Sequence, residues 1–369
     1  MTYNWQQPDW PNFRYDLTAV EDLLFSFAEK TGHIAGLLHG LPEDIQQETI
    51  LNLMVSEAVK TSEIEGELVQ RSDVMSSIRN NLGLNYAHEE VRDRKAQGVG
   101  ELMVAVRQGF AEPLTEVMLF DWHSRLMAPF MRRLAVGQWR THEDPMQIVS
   151  GPFGRQRVHF EAPPSSAVPK EMAGFIKWFN DTAPGCKHAL KNPVVRSAIA
   201  HIYFESIHPF EDGNGRIGRA LSEKALSQGL GRPVVMSLSK AIETNKKAYY
   251  GALSDAQTTN DITEWIAYFI RTVLDAQNDT EKTVSAVLFK ARIFDRYRGQ
   301  LNDRQAKVIS FMLENSPDEI PDMRTQKYMK MTGASKATTA RDLQKLVELG
   351  VFRQVGEGRS THYEFAADF

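Results

Sequence analysis

The chain has 369 residues, 42% of them hydrophobic, and a formal net charge of −4. This length predicts two or three domains, and the mild negative charge excludes a polycation that binds nucleic acid in bulk. The single cysteine, Cys186, excludes an internal disulfide and a cysteine-based metal cluster, and favours a reducing, cytoplasmic location. The amino terminus has no basic segment before an apolar one, and no run approaches about 18 apolar residues, so we expect neither a secretory signal nor a membrane span.

The first 130 residues are predicted to form an extended arm followed by helices. Residues 1–16 place aromatic side chains between prolines, which is typical of an arm that lies on another surface. From Leu17 to about Arg79 apolar residues recur at helical spacing, with a break at Gly40–Pro42. Two or three further helices are predicted over 85–130.

The helical periodicity stops in the segment that follows. Short strands are predicted at 137–140, 146–151 and 157–164. A turn at 151–154 lies between the last two of these strands, so the pattern indicates a β-hairpin. A helix over 169–183 and an apolar, buried helix over 194–207 come next.

The stretch His208–Arg219, HPFEDGNGRIGR, concentrates polar chemistry in a short loop. Pro209 ends the preceding helix, because the residue before a proline is displaced from the α region. A second helix is predicted over Gly215–Gly229, with the last glycine as its C-cap. Free N–H groups and the helix dipole make such a loop an anion site. Arg216 and Arg219 project from one face of the first turn, and two guanidinium groups suit a polyphosphate.

Each of these features has an ordinary explanation when taken alone: a turn, an N-cap aspartate or a hydrogen-bonded histidine. Their order and spacing together match the motif HPFx(D/E)GNGRxxR, and on these residues the chain resembles the Fic family (filamentation induced by cAMP). The resemblance implies a mainly α fold, a helical bundle with a β-hairpin flap. It also implies that AMP is transferred from ATP to a Ser, Thr or Tyr hydroxyl of a protein, with release of pyrophosphate.

The resemblance assigns a role to each position of the motif. His208 would be the general base for the hydroxyl proton, and Asp212 would hold Mg²⁺. Arg216 and Arg219 would neutralise the charge of the leaving pyrophosphate. The implied ATP-binding set comprises Asp212, Gly213, Asn214, Gly215, Arg216, Ile217, Gly218, Arg219, Tyr249, Tyr250 and Gln257. The last three would hold the adenine ring, although a place in the core explains the two tyrosines equally well.

A second pattern lies upstream, in a helix predicted over about 44–66. Thr61, Glu65 and Gly66 fit (S/T)xxxE(G/N), which marks an inhibitory helix in Fic proteins. The resemblance implies that Glu65 forms a bidentate pair with Arg219 and occupies the place of the γ-phosphate. A solvated glutamate near a helix end is the alternative. By the same resemblance, the hairpin before the motif is a flap that positions the target polypeptide as an added strand.

The carboxyl-terminal part is predicted to be a winged helix-turn-helix. Helices over 239–257, 261–277 and on to about Arg298 precede it. Its own helices are predicted at 303–314, 323–331 and 335–349, followed by the two strands of a wing. Residues 324–359 contain eight Lys and Arg against three Asp and Glu. Lys336, Thr338, Thr339 and Arg341 would face a DNA groove, unless the module binds protein or another copy of the chain.

The sequence thus predicts an amino-terminal helical region (1–110), a Fic core (111–278), a linker helix (279–301) and a winged helix-turn-helix (302–369). The predicted function is that of an autoinhibited protein adenylyltransferase that uses ATP and Mg²⁺. Its expected partner is a protein substrate, which could be the chain itself; DNA through 324–359 and a homodimer are left open, and no membrane is expected. The alternative is a nucleotide-responsive DNA-binding regulator, or Fic-type transfer or removal of another phosphate-linked group. The intact His208 argues against a pure sensor.

Overall fold

The computed structural model describes residues 2–84, 87–131, 134–150, 157–313 and 321–366. The protein is mainly α, as the sequence predicts. Its internal contacts divide it into two units, Met1–Thr31 with Ile50–Gln277 and Gly32–Thr49 with Asn278–Phe369. Most of the residues predicted as the amino-terminal region, 1–110, lie in the same unit as the motif. None of the helices in the described ranges is long and apolar enough to span a bilayer.

The helices and strands have the following bounds. The helices are α1 (Glu21–His39), α2 (Glu43–Ile64), α3 (Arg71–Leu82), α4 (Arg94–Gln108), α5 (Glu116–Met127), α6 (Val168–Asp181), α7 (Pro193–Ile207), α8 (Asn214–Leu230), α9 (Leu238–Thr244), α10 (Lys246–Ala256), α11 (Thr263–Arg296), α12 (Asp303–Met312), α13 (Thr325–Thr332) and α14 (Lys336–Glu348). Strands β1 (Gln147–Ser150) and β2 (Arg157–Glu161) pair antiparallel, as do β3 (Phe352–Val355) and β4 (His362–Phe365).

Helix α7 is the centre of the first unit. It has no solvent-facing stripe, because one apolar cluster packs on the side of Ala200 and Phe204 and another on the side of Ala198 and Ile202. Trp265 of α11 donates its indole N–H to the Ala198 carbonyl at 2.8 Å. A helix buried on all sides is held rigidly, so the residue that follows its last turn has a well-defined position.

The amino-terminal arm lies along the end of α7 that leads into the motif. Asn4 is fully buried and donates its amide to Ser206 Oγ at 2.8 Å. The Asn4 backbone N–H donates to the Gln257 carbonyl at 2.8 Å, and the Trp5 indole donates to the Glu161 carbonyl at 2.7 Å. The arm, which contains one 3₁₀ turn at Asn4–Gln6, therefore ties the end of α7 to β2 and to the end of α10.

The β1–β2 hairpin is the segment predicted as the flap. Gln147 pairs with Glu161 and Ser150 with Arg157, and the register shifts between Ile148 and Val149. The predicted turn at 151–154 lies outside the described residues. The predicted strand at 137–140 was wrong: this segment is irregular, and Arg140 donates from its backbone and its side chain to the motif loop.

Three helix boundaries differ from the prediction. Helix α8 ends at Leu230 with Gly231 as its left-handed C-cap, whereas Gly229 lies inside the helix, where a Cβ would come within 2.5 Å of Pro193. The predicted helix 239–257 is two helices, because Asn245 ends α9 and caps α10 by accepting from the Ala248 N–H. The predicted linker helix is a continuation of α11, which has no Gly or Pro within it to stop it.

The second unit contains the predicted winged-helix segment. Helices α12–α14 and the β3–β4 hairpin enclose an apolar cluster that includes Val308, Leu343 and Phe352. Asp342 lies on the buried face of α14, where it pairs with Arg304 at 2.7 Å and accepts from Tyr328 Oη at 3.0 Å.

The residues predicted to face a DNA groove do not share one environment. Thr339 is fully buried, so its predicted place on the groove face was wrong. Lys336 and Arg341 are exposed and Thr338 is half-buried. The reason is geometric: residues 336–341 span more than one helical turn, so one of them must face the core.

Candidate active site

The motif loop connects α7 to α8 through two left-handed residues. His208 caps α7 with φ 50° and ψ 59°, and Gly213 precedes α8 with φ 80°. A left-handed conformation is ordinary for glycine but costs a non-glycine residue about 1–3 kcal/mol, so the surrounding structure must impose it on His208. Asn214 contributes to this, because its amide accepts from the Phe210 N–H at 2.9 Å and donates to the Phe210 carbonyl at 2.8 Å.

Arg140 is a buried guanidinium that binds the loop from the side of residues 137–140. Its Nε donates to the His208 carbonyl at 2.9 Å, and its two Nη atoms donate to Ser165 Oγ and the Pro163 carbonyl. Burial lowers the pKa of Arg140 to about 10, so the side chain remains charged at neutral pH. Sequence reasoning missed this residue because it treated the segment as a strand.

His123 is a second supporting residue that the sequence did not indicate. It lies on α5, its ring stacks on Phe210 at 4.0 Å between centroids, its Nδ1 accepts from the Gly137 N–H, and its Nε2 lies 3.2 Å from the Asp212 carbonyl. Burial lowers its pKa to about 4, so the ring is neutral and donates through Nε2. The sequence did contain one signal for this role: a histidine within the apolar stripe of α5, which indicates a buried polar group with a specific partner.

Arg219 lies under the loop and contacts the predicted inhibitory segment. Its Nη2 is 2.7 Å from Glu65 Oε1, its Nε donates to Thr61 Oγ1 at 2.7 Å, and Nη2 also donates to the Thr61 carbonyl at 3.0 Å. The predicted bidentate carboxylate pair is therefore replaced by one carboxylate oxygen and two acceptors of Thr61. Burial would lower the pKa of Arg219, but the charge of Glu65 helps to raise it above its ordinary value.

Glu65 occupies the anion position at the amino end of α8. A Cβ added to Gly215 would come within 2.2 Å of Glu65 Oε1, so the carboxylate fills the space that this glycine leaves open. Gly66, with φ 79°, turns the chain directly after it. The structure thus brings Thr61 and Glu65 together with Arg219 of the motif helix, and Gly66 turns the chain after them.

Arg216 has a carboxylate partner that sequence reasoning missed. Glu67 Oε2 lies 2.5 Å from Arg216 Nη1, while Asp212 Oδ1 lies 3.5 Å from Arg216 Nη2. Lys95 is 3.4 Å from the other oxygen of Glu67. Both arginines of the motif are therefore paired with carboxylates from the segment after α2, and a phosphate that bound them would have to displace these carboxylates.

The remaining members of the implied ATP-binding set do not share one surface. Ile217 is fully buried in the core, and Gly218 packs against Glu205. Tyr249 and Gln257 are each 2% exposed and bind His201 and the Glu205 carbonyl, respectively. Tyr250, in contrast, is 40% exposed and lies 3.5 Å from the Ile64 carbonyl. The geometry therefore leaves Tyr250 as the accessible aromatic ring of this set.

Asp212 is the residue that could hold a divalent cation. Its side chain is 53% exposed, and one carboxylate oxygen accepts from the Gly213 N–H at 2.5 Å. Within the described parts of the chain, no group of three His, Cys, Asp or Glu residues could hold a metal ion alone. This donor set fits Mg²⁺, which takes one or two carboxylates and completes its shell with water and substrate phosphate oxygens.

The fold is shared with solved Fic structures. A Fic family protein from Desulfovibrio desulfuricans is 20% identical with a TM-score of 0.55, over 97% of this chain and 99% of that one. A Fic domain containing signaling protein from Bacteroides thetaiotaomicron is 17% identical with a TM-score of 0.53, over 70% of this chain and 96% of that one. The chain therefore has the fold of Fic proteins.

Three family models match separate parts of the sequence. Residues 113–226 match the Fic/DOC family, residues 3–84 match a domain of unknown function (DUF4172), and residues 317–366 match the C-terminal domain of the DIP2311-like transcriptional regulators. This chain contains a Fic/DOC family domain.

Its curated relatives are named protein adenylyltransferases. A probable protein adenylyltransferase of Aquifex aeolicus is 32% identical over 98 residues, which are 27% of each chain. Protein adenylyltransferase Fic of Drosophila melanogaster is 30% identical over 151 residues, which are 40% of this chain and 27% of that one. The chain thus spans about a quarter of the length of these relatives.

Proposed function

We propose that the protein is an adenylyltransferase that transfers AMP from ATP to a Ser, Thr or Tyr hydroxyl of a protein. One observation carries this proposal. His208 is held in a left-handed conformation at the end of α7, in the loop that leads into α8, and Arg216 and Arg219 lie in the first two turns of α8. A base beside a polyphosphate site is the arrangement that transfer to a hydroxyl requires. The names of the relatives support the same chemistry.

The reaction can be written from the residues of the site. The target hydroxyl oxygen forms a bond to the α-phosphorus while the bond from that phosphorus to the oxygen of pyrophosphate breaks. His208 accepts the hydroxyl proton. Arg216 and Arg219 stabilise the negative charge that develops on pyrophosphate, provided that their present carboxylate partners have been displaced. Mg²⁺ bound at Asp212 would supply further neutralisation of the phosphate charge.

Autoinhibition by Glu65 is part of the proposal. The carboxylate lies at the positive end of α8 and contacts Arg219, so it competes with a phosphate for the same N–H groups and the same guanidinium. Helix α2, which leads to Glu65, is held in place by Glu57, whose carboxylate accepts hydrogen bonds from Ser237 and Ser239. The contact is therefore supported by a docked helix rather than by a free loop.

The direct test determines which phosphate of ATP is transferred to the protein. The Glu65→Gly variant, incubated with Mg²⁺ and ATP, is expected to become labelled from ATP labelled at the α-phosphate and not from ATP labelled at the γ-phosphate. Mass spectrometry should find an added AMP on a Ser, Thr or Tyr residue. Label from the γ-phosphate would indicate a kinase, and a preference for another nucleotide would indicate transfer of a different group. Absence of any label, with supplied proteins and alone, would refute the proposal.

A second candidate function is DNA binding by the second unit. Lys336 and Arg341 are exposed on α14, and no described side chain forms an ion pair with either of them. Asp342, an acidic residue of the same helix, is buried and neutralised by Arg304, so it does not offset these cations at the surface. The match of residues 317–366 to a domain of transcriptional regulators agrees with this candidate.

If DNA is bound there, the affinity of the intact chain for duplex DNA should fall steeply with salt. We expect a loss of roughly tenfold or more between about 50 and 200 mM salt for a few phosphate contacts. Lys336→Ala with Arg341→Ala should weaken binding and reduce the salt dependence, as measured by fluorescence anisotropy. Lys170→Ala with Lys187→Ala, which removes two exposed cations of the first unit, is the matched control and should bind normally. Salt-independent binding, or none, would favour a protein-interaction role for this unit.

A further inference from the structure

Glu205 is a buried carboxylate beside the proposed base that the motif does not include. It lies in the last turn of α7, three residues before His208. Its Oε2 is 3.6 Å from His208 Nδ1, and the two side chains are 4% and 12% exposed. This distance is slightly longer than a hydrogen bond, and catalytic hydrogen bonds often shorten when the reacting complex forms.

Each side chain of this pair has a buried atom without a hydrogen-bond partner. Among the described residues, neither His208 Nδ1, which faces Glu205 Oε2, nor the other carboxylate oxygen, Glu205 Oε1, has such a partner. An unpaired buried polar atom is costly, so the unpaired Nδ1 beside a carboxylate requires an explanation. Because Nδ1 is the buried nitrogen, Nε2 is the ring nitrogen left to accept a proton from a substrate.

The local charges favour the ionised form of Glu205. Burial by itself would raise its pKa, but the adjacent His208, together with the charges of His201 and Arg219, outweighs burial and holds the pKa below its ordinary value. The carboxylate is therefore charged at neutral pH. The charged or titratable groups that contact Glu205 or His208, or interact electrostatically with them, are His201, Arg219, Tyr249, Tyr250 and Arg140.

Gly218 makes room for this carboxylate. A Cβ at Gly218 would come within 2.4 Å of Glu205 Oε1 and 3.3 Å of its carboxyl carbon. The glycine between the two motif arginines therefore allows α8 to approach the end of α7 with Glu205 between them. This explains why Gly218, which was expected to contact nucleotide, faces the core.

We propose that Glu205 is a positioning residue for His208, an inference that rests on the proposed transfer reaction. Glu205 orients the ring so that Nδ1–H points at the carboxylate and Nε2 points at the target hydroxyl. When the hydroxyl oxygen bonds to the α-phosphorus and pyrophosphate leaves, the hydroxyl proton moves to Nε2 and the ring becomes an imidazolium. Glu205 stabilises that cation and remains ionised, while the Nδ1 proton stays on the ring.

The test uses Glu65→Gly as the parent, so that inhibition does not mask the effect. Glu205→Gln in this parent should lower kcat by about 10- to 1,000-fold while the KM for ATP changes less than about threefold. The acidic limb of the pH–rate profile should move to lower pH, because the neutral amide no longer favours a charged ring. Glu205→Asp, which keeps the charge on a shorter side chain, should retain more activity than Glu205→Gln.

Glu57→Gln in the same parent is the matched control. Glu57 is another buried carboxylate of the same unit, so its neutralisation reports the general structural cost, and the pH–rate profile should keep its position. Equal losses in the two Gln variants, or an unmoved profile in Glu205→Gln, would overturn the inference while leaving the transfer reaction intact.

A second measurement does not depend on activity. The ring signals of His208, assigned with His208→Ala, are followed against pH by NMR in the otherwise wild-type chain. We expect the ring to lose its charge at lower pH in Glu205→Gln than in the wild type. Identical titrations would overturn the inference even if the parent transfers AMP, whereas an inactive parent with shifted titrations would refute only the proposed function.

Discussion

Replacement of Glu65 by glycine should raise AMP transfer by about tenfold to several-thousandfold. Removing one partner of a charged pair in which Arg219 is fully buried is worth about 2–5 kcal/mol, and this energy now opposes the productive pose of ATP. The substitution also vacates the space above Gly215 at the positive end of α8. The measurement is the initial rate of α-labelled AMP incorporation into the chain itself and into supplied proteins.

Three variants separate the possible causes of that activation. Arg219→Ala should not reproduce it, because the phosphate ligand is deleted together with the inhibitory contact. Glu65→Gln should activate less than Glu65→Gly, because the amide removes the charge but still fills the space. Glu63→Gln is the matched control, since Glu63 pairs with Lys60 and not with the motif, and it should behave as the wild type. If Glu65→Gly is no faster than the wild type, Glu65 has only a structural role, even if the transfer chemistry holds.

Replacement of His208 by alanine should abolish AMP transfer while ATP binding stays within a few-fold of that of the parent. Loss of a general base costs about 10²–10⁴-fold in rate, whereas the phosphates are held by the backbone at the start of α8 and by the arginines. The comparison is made in the Glu65→Gly parent, with transfer measured by labelling and ATP affinity by calorimetry.

His188→Ala, which removes an exposed histidine of the same unit, is the control and should leave both quantities unchanged. Transfer at a near-parental rate in His208→Ala would rule out His208 as the base. A parallel loss of ATP binding would mean that the substitution disturbs the strained loop, since His208 is also the left-handed cap of α7. His208→Asn would then repeat the test, because asparagine adopts the left-handed conformation more readily.

The motif loop could be predicted from sequence because its determinants are local. Pro209 ends one helix, Gly213 supplies a left-handed residue before the next, and Arg216 and Arg219 are one helical turn apart whatever the rest of the fold does. The contact of Glu65 with Arg219 was reached only through the resemblance, and its geometry was predicted incorrectly. Thr61 takes the Nε donor that a second carboxylate oxygen was expected to take.

The residues that hold the motif loop and its arginines in place could not be predicted from local sequence. Arg140 and His123 contact the loop from segments that are distant in sequence. Glu67 pairs with Arg216 because the segment after α2 packs against α8. Their partners are decided by distances between elements, which a periodic pattern does not contain. A titratable residue in an apolar stripe, as His123 is on α5, is a signal that burial with a specific partner is required.

The sequence by itself determined the mainly α class and the loop between α7 and α8, and it predicted the anion site and the candidate base there, because helix boundaries and left-handed turns depend on neighbouring residues. Only the tertiary structure decided how the other groups of the site meet: Thr61 with Arg219, Glu67 with Arg216, and Glu205 with His208. It also placed Tyr249 and Gln257 in the core. The physical reason is that the pairing energy of two buried charges depends steeply on their separation and on the exclusion of water, and both are set by how the helices pack.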